Sequence, residues 1–373
     1  MVNRRRFLGY SAALGALGVS NGWARAADAP VTVYPADYQA IIDASKTENS
    51  LTVYSSIATA QWQPVIDGFN KTYPWVKVEP LDLDAGEVVQ RYLAEVGSNT
   101  RTADMLVTAA TDAWLDLIQR DQILPYESPE ASAYPDWSKP KSGLYTINVD
   151  PTYFLWNKAL LPQNLWPTSF ADLVEKAAAN PDVFRGKISA YGAHQTSMGY
   201  NLHYTFAKHH GDKVWDWYRT LGPLTSYEQG AGPMLEKVTS GEYLVVYFSA
   251  ARTTRMAVSD PVQGKILDSS YISDGTPLLL MGTGIPKAST NVNSAKLMID
   301  FLLSIPGQKL MPTTGRTVFN PNLTSADVNG AATYASTIAD LGADYAWPAD
   351  YDPALISSYD AFLKRWKDAN GIA

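Results

Sequence analysis

The sequence contains no cysteine among its 373 residues. This absence excludes disulfide frameworks, thiolate nucleophiles, zinc–cysteine centres and a lipid-anchored lipoprotein cysteine. Basic residues are outnumbered, with 30 Lys+Arg against 37 Asp+Glu and a formal net charge of −7, which argues against nucleic acid as a partner. With 46% hydrophobic and 18% charged residues, the composition is that of a globular protein, and the length favours two domains.

The first 26 residues have the composition of an export signal. The arginines of residues 4–6 precede Phe7 and Leu8, an Ala/Gly-rich apolar run covers residues 9–19, and a small-x-small sequence ends at Ala26. This pattern predicts a signal peptide cleaved near Ala26, and the arginines before Phe-Leu resemble a twin-arginine export signal. A transmembrane anchor is the alternative, but the apolar run is far shorter than the roughly 20 residues needed. Cleavage would remove four arginines and no acid, which gives a net charge of −11 and an expected periplasmic location.

Hydrophobic periodicity in the remaining chain alternates between strand and helix. Strands are predicted near residues 51–55, 76–81, 103–108, 187–191, 243–248 and 277–281, with an extended segment at 144–157. Helices are predicted near residues 61–73, 87–96, 112–120, 172–179, 200–210, 214–221, 232–238, 293–303 and 353–369. Strands that alternate with helices of this length indicate βαβ units and parallel sheets.

The extended segment lies between two such blocks, which predicts an α/β fold with two lobes. Each lobe is expected to be a mostly parallel sheet flanked by helices, with a ligand cleft at the hinge. We expect the first lobe to comprise residues 27–145 plus about 272–320, and the second residues 146–271 plus about 321–373.

Recognisable catalytic patterns are missing from this part of the sequence. From residue 27 onwards there is no Gly-x-Ser-x-Gly elbow, no P-loop and no dinucleotide fingerprint. The four histidines, His194, His203, His209 and His210, lack a Glu-bearing zinc signature and are expected to pack in the core or lie at the surface. We therefore expect a binding protein rather than an enzyme, with no cofactor and no bound metal.

Small hydroxyl side chains follow several of the predicted strands. They are Ser55, Ser56, Thr108, Thr111, Thr196, Ser197 and Ser249. Hydroxyls together with free backbone N–H groups at the carboxyl ends of strands can hold an anion. The alternative for each of them is an ordinary helix N-cap.

A series of short motifs, in order along the chain, resembles the periplasmic solute-binding proteins of ABC importers. The matching segments are residues 51–56, 103–108, 153–158, 168–173, 241–242, 284–287, 295–304 and 307–308. The nearest group is the ferric-iron-binding-like branch. The resemblance implies a type II binding-protein fold, hinge closure around one small-molecule solute, and delivery of that solute to a permease and ATPase at the inner membrane by a monomer.

The same resemblance bears on the ligand. Ferric-binding members carry an adjacent tyrosine pair shortly after the Gly-Glu dipeptide, and the corresponding positions here are Ala251 and Arg252. A methyl group and a fixed cation cannot replace two phenolate ligands of iron, whereas an arginine suits a carboxylate or phosphate. We therefore expect Arg252 to bind a small anionic solute: a phosphate ester, a phosphonate or a carboxylate. A salt bridge that closes the lobe is the alternative role for this arginine.

Other residues are expected in the same site. Hydroxyl groups are expected from Ser55, Ser56, Thr108, Ser249, Thr196 and Ser197, and we expect Ser55-Ser56 to face Thr196-Ser197 across one cleft. Tyr145 and Tyr153 are expected either to cover the solute or to pack the hinge. Three alternatives stay open: ferric iron held with a synergistic anion through Tyr247 and Glu228, an enzyme exported by the twin-arginine route, and a receptor for a polyamine or thiamine.

Overall fold

The structure, a computed structural model, describes residues 34–373, so the predicted signal peptide lies outside the described residues. Its strands are β1 (Ser50–Ser55), β2 (Lys77–Asp82), β3 (Met105–Thr108), β4 (Leu144–Asn157), β5 (Ile188–Tyr191), β6 (Thr225–Glu228), β7 (Val245–Ala250), β8 (Leu267–Ser270), β9 (Thr276–Gly284) and β10 (Ala346–Pro348). Each of the six predicted strands corresponds to one of these, displaced by at most a few residues.

The helices connect these strands and cover the sheets. They are α1 (Tyr38–Glu48), α2 (Thr59–Asn70), α3 (Ala85–Gly97), α4 (Thr111–Gln119), α5 (Phe170–Ala179), α6 (Pro181–Phe184), α7 (Ser197–His210), α8 (Lys213–Leu221), α9 (Ala231–Ser240), α10 (Ala251–Ser259), α11 (Val292–Leu303), α12 (Ile305–Gln308), α13 (Tyr334–Leu341), α14 (Ala354–Ser357) and α15 (Tyr359–Asn370). The long helix predicted at the C-terminal end is thus two helices, α14 and α15, that meet at Ser358.

The first sheet has the strand order β2-β1-β3-β9-β4. Strands β2, β1 and β3 are parallel, and β9 runs antiparallel to both β3 and β4. The short strand β10 pairs parallel with β9. Leu51 and Val53 of β1 are fully buried, because helices cover both faces of a parallel sheet.

The second sheet repeats this arrangement with different strands. Its strands β6, β5 and β7 are parallel, and β4 runs antiparallel to β7 and β8. Each sheet therefore has a parallel core of three strands completed by antiparallel ones.

Strand β4 belongs to both sheets and corresponds to the extended segment predicted at residues 144–157. Its first half, residues 144–151, pairs with β9, and its second half, residues 152–157, pairs with β7 and β8. All fourteen of its residues are buried. A single continuous strand joining two sheets makes a two-lobed α/β fold, as the sequence predicts.

The C-terminal segment returns to both sheets. Strand β10 lies beside β9, Thr111 Oγ1 of α4 donates to Ala349 O at 3.2 Å, and Tyr351 OH lies 3.0 Å from Thr146 Oγ1 of β4. Helix α15 then packs on α8, with Trp366 fully buried. Among residues 34–373, no helix combines the length and hydropathy that a membrane crossing requires.

Candidate functional site

Two adjoining cavities open where the carboxyl ends of strands from the two sheets converge. The smaller, with a volume of about 340 Å³, contains Arg252 and Arg316 in its wall, and we call it the arginine cavity. The larger, of about 1180 Å³, is lined by Asp84, Glu87, Asp112, Asp116 and Asp360 and is called the acidic cavity. Asp84, Ala85 and Met198 line both cavities, so the two form one continuous cleft.

Arg252 occupies the first turn of α10, directly after strand β7. Its Nε donates to Thr314 O at 3.2 Å, and among the described residues it forms no ion pair. Gly315 lies against the stem of this arginine with φ +79°, and a Cβ there would approach Arg252 Cγ to 2.8 Å. The turn at residues 314–315 therefore holds the guanidinium in place without neutralising it.

Arg316 is the second cation of the arginine cavity. Its side chain is 10% exposed, its Nη1 lies 3.7 Å from Asp150 Oδ2, and its Nη2 donates to Gln61 Oε1 at 3.3 Å. Its Nε is buried and has no hydrogen-bond partner among residues 34–373. Burial lowers the pKa of Arg316 and the neighbouring Arg252 lowers it further, whereas Asp150 raises it. Two guanidinium groups that repel each other favour an anion between them.

The amino end of α10 adds backbone donors to the same cavity. Ala250 is its N-cap, carries no capping side chain, and lines the cavity with Ala251 and Thr253. The first N–H groups of a helix have no intrahelical acceptor and carry partial positive charge. The helix start and the two arginines together form a site suited to a carboxylate, phosphate or phosphonate.

The serines after β1 have different positions. Ser55 is fully buried and its Oγ accepts from Ile57 N and Trp62 Nε1, both at 2.9 Å, so its hydroxyl closes the turn after the strand. Ser56 lines the arginine cavity. Thr108 is also fully buried, and its Oγ1 donates to Ala85 O at 2.7 Å and accepts from Ala110 N at 3.2 Å.

Thr196 and Ser197 line the acidic cavity at the start of α7. Thr196 caps this helix, with its Oγ1 accepting from Gly199 N at 3.0 Å, and Ser197 Oγ donates to Asp112 Oδ1 of α4. The sequence predicts that Ser55-Ser56 faces Thr196-Ser197 across one cleft. In the structure Ser55 lines neither cavity, whereas Ser56 lines the arginine cavity and Thr196 and Ser197 line the adjoining acidic cavity.

Strand β4 joins the two sheets, and we call it the hinge strand. Its Tyr145 and Tyr153 line neither cavity. Tyr145 OH donates to Tyr126 O at 2.5 Å and accepts from Ser128 N at 2.9 Å, which anchors a loop of the first lobe. Tyr153 stacks on Tyr271 with ring centroids 4.8 Å apart, and its OH accepts from Arg255 Nε at 3.1 Å. Both rings pack around the hinge, which is the second of the two roles expected for them.

Tyr247, Ser249 and Glu228 also lie outside the walls of the two cavities. Tyr247 is fully buried and its OH lies 3.4 Å from Tyr227 OH. Ser249 Oγ accepts from Thr254 Oγ1 at 2.8 Å. Glu228 Oε1 accepts from Lys237 Nζ at 2.9 Å and from Tyr243 OH at 2.6 Å. All three are engaged in contacts within the second lobe.

Four of the ten predicted ligand-binding residues therefore line the cleft: Ser56, Thr196, Ser197 and Arg252. The prediction missed Arg316, Asn148 and the carboxylates of the acidic cavity. Arg316 carries no local signal, because its approach to Arg252 depends on the turn at residues 314–315 packing against the start of α10. Four of the five carboxylates of the acidic cavity lie at helix starts, where acids are common in any protein, and the fifth, Asp116, lies further along α4.

A family model described as "Bacterial extracellular solute-binding protein" matches residues 55–309. The chain belongs to this family. The match covers most of both sheets and most residues of the two cavities, although Arg316 and Asp360 lie beyond it. It confirms the prediction that the chain is the solute-binding component of an ABC transporter. No curated protein sequence matches the chain.

Solved structures share the fold of this solute-binding protein at low sequence identity. The substrate-binding protein of an ABC transporter from Agrobacterium tumefaciens superposes with a TM-score of 0.76 at 20% identity, over 86% of this chain and 94% of that one. The periplasmic binding protein AfuA from Actinobacillus pleuropneumoniae, with fructose-6-phosphate bound, gives 0.67 at 21% identity, over 87% and 99%. Iron-bound HitA from Pseudomonas aeruginosa gives 0.63 at 16% identity, over 86% and 99%.

Proposed function

We propose that this solute-binding protein captures a small organic anion, such as a phosphate ester, a phosphonate or a carboxylate, between its two lobes. It then presents that solute, chemically unchanged and as a monomer, to an ABC permease and its ATPase. The proposal places it in the periplasm after twin-arginine export, which the arginines of residues 4–6 and the small-x-small sequence ending at Ala26 support.

The observation that carries the proposal is the environment of Arg252. Arg252 lines the cleft at the start of α10, and among residues 34–373 no carboxylate lies within ion-pair distance of it. Arg316 and the free N–H groups of the helix start lie in the same cavity. A charge-assisted hydrogen bond contributes about 1.5–3 kcal/mol, so one anionic group held by several such donors accounts for tight binding.

The ferric alternative is less favoured by these residues. Ala251 and Arg252 occupy the positions of the tyrosine pair, and within the part of the chain that the structure describes no three His, Asp or Glu side chains cluster closely enough to hold a metal ion. Guanidinium groups repel a trivalent cation. A visible absorption band on addition of ferric citrate would nevertheless favour iron as the transported solute.

Isothermal titration calorimetry on the mature chain tests the proposal. The probes are fructose 6-phosphate, glycerol 3-phosphate, 2-aminoethylphosphonate and citrate, and we expect at least one to bind with a dissociation constant in the micromolar range or below. Arg252→Ala is expected to weaken that binding about tenfold to a hundredfold, the equivalent of one charge-assisted bond. Arg219→Ala, which removes an exposed arginine paired with Asp216, is the control. Equal affinities in the two variants would contradict the role of Arg252.

A further inference from the structure

The cleft carries an excess of negative charge that a simple anion does not explain. Seven carboxylates line its two cavities, namely Asp82, Asp84, Glu87, Asp112, Asp116, Asp150 and Asp360, against the two guanidinium groups of Arg252 and Arg316. Among residues 34–373, only Asp150 lies within 4 Å of a cleft arginine, at 3.7 Å from Arg316. A solute that is anionic throughout would meet like charge over most of this surface, which disfavours its entry.

The charges are also unevenly distributed along the cleft. Both arginines lie in the arginine cavity, together with Asp82, Asp84 and Asp150, whereas the described residues that line the acidic cavity include five carboxylates and no lysine or arginine. Because the two cavities share Asp84, Ala85 and Met198, a single solute can occupy both. The geometry thus offers guanidinium groups to one end of a bound molecule and only carboxylates as charged groups to its other end.

A buried amide oxygen supplies independent evidence for a hydrogen-bond donor on the solute. Asn148 of the hinge strand lines the arginine cavity and is 1% exposed. Its Nδ2 donates to Asp150 Oδ2 at 2.7 Å, which fixes the orientation of the amide and leaves Oδ1 as an acceptor. This Oδ1 is buried, and the described part of the chain offers it no hydrogen-bond partner. An ionised carboxylate or phosphonate has acceptors only, so the donor must come from another part of the solute.

We infer that the solute is a zwitterion, an amino-organic acid whose phosphonate, phosphate or carboxylate group lies at Arg252 and whose ammonium group faces the carboxylates of the cleft and Asn148. The inference rests on the proposed function for its anionic end. An ammonium group provides both the positive charge that the carboxylates favour and N–H groups that can donate a hydrogen bond to Asn148 Oδ1. A polyol tail would supply donors but would leave the excess negative charge uncompensated.

Matched pairs of probes test the inference by calorimetry on the full mature chain at pH 7. The phosphonate series is ethylphosphonate, 2-hydroxyethylphosphonate and 2-aminoethylphosphonate, and the carboxylate series is propionate and β-alanine. In at least one series we expect the amino probe to bind at least tenfold more tightly than its unsubstituted partner. The hydroxyl probe is expected to fall between the two phosphonates.

Two charge-removing variants locate the ammonium group. Asp84→Asn keeps an equally good N-cap for α3, and Asp112→Asn keeps an oxygen that the Ser197 hydroxyl can donate to. Each is expected to reduce the preference for the amino probe at least threefold without weakening the unsubstituted probe. Asp182→Asn removes an exposed carboxylate outside the cleft and is expected to leave the preference unchanged.

The outcomes separate this inference from the proposed function. Equal binding of amino and unsubstituted probes, or tightest binding of the hydroxyl probe, would overturn the zwitterion while an effect of Arg252→Ala would still support an anion. Absence of binding in both series also overturns it, and the titrations with fructose 6-phosphate and citrate then decide whether the anionic solute itself survives.

Discussion

Replacement of Gly315 by alanine should weaken solute binding through Arg252, although Gly315 itself does not line the cleft. Gly315 has φ +79°, a left-handed conformation that costs an L-residue about 1–2 kcal/mol. A Cβ at this position would lie 2.8 Å from Arg252 Cγ and 3.2 Å from both its Cδ and its Nε. The arginine stem therefore has to move, and its hydrogen bond to Thr314 O at 3.2 Å is lost with that movement.

The expected effect has two parts that can be measured separately. The free energy of unfolding should fall by about 1–2 kcal/mol from the backbone conformation alone. The affinity for an anionic solute should fall about tenfold to a hundredfold, because a displaced guanidinium forfeits a charge-assisted bond of about 1.5–3 kcal/mol. Urea unfolding measures the first quantity and calorimetry with the tightest anionic probe measures the second.

Gly330 provides a matched control for this substitution. It has φ +81° and open space where a Cβ would be placed, so Gly330→Ala carries the same backbone cost without touching the cleft. We expect it to lose stability as Gly315→Ala does and to keep full affinity. If both variants bind the probe equally well, the position of Arg252 does not determine affinity and the anion site is misassigned.

Two further predictions concern stability and export. Burial raises the pKa of Asp300 to about 6 although Tyr38, Tyr126 and Ser128 donate hydrogen bonds to its carboxyl group. Between pH 4 and 6 the folded state then binds more protons than the unfolded state, so ionisation of Asp300 destabilises the fold as the pH rises. The free energy of unfolding of the wild type minus that of Asp300→Asn should therefore fall by about 3 kcal/mol from pH 3.5 to 7. A difference that stays constant over this range would refute the prediction. Replacement of the arginines of residues 4–6 by lysine should retain the precursor in the cytoplasm, as fractionation and immunoblotting would show, whereas continued periplasmic recovery would argue for another export route.

The hinge strand shows which features of the fold were predictable from the sequence. Residues 144–157 combine β-branched and aromatic residues in one long extended pattern, and all of them are buried in β4. A strand that is buried on both faces keeps this hydrophobic signature wherever the two sheets lie. The strand-and-helix alternation before it was predictable from a related signal, because the apolar residues that each element buries recur at a spacing typical of that element.

Helix α10 is an element that hydrophobic periodicity does not predict. It was not predicted, because only Ala251, Thr254 and Ala257 of its nine residues are buried, and none of the three is strongly hydrophobic. The spacing from the Gly-Glu dipeptide identifies Arg252 but does not indicate that this residue lies in the first turn of a helix. The contribution of the helix N-terminus to the anion site could therefore be found only in three dimensions.

The acidic cavity depended on an arrangement that no single segment encodes. Asp84 and Glu87 begin α3, Asp112 begins α4, and Asp360 lies in the first turn of α15. Acids at helix starts are favoured by the helix dipole, so each is fully explained by its own helix when the sequence is read segment by segment. The fold directs these three helix starts into one cleft, beside two arginines from elsewhere in the chain. Side chains whose presence is explained locally by their own helix starts thereby also form the acidic end of the proposed binding site.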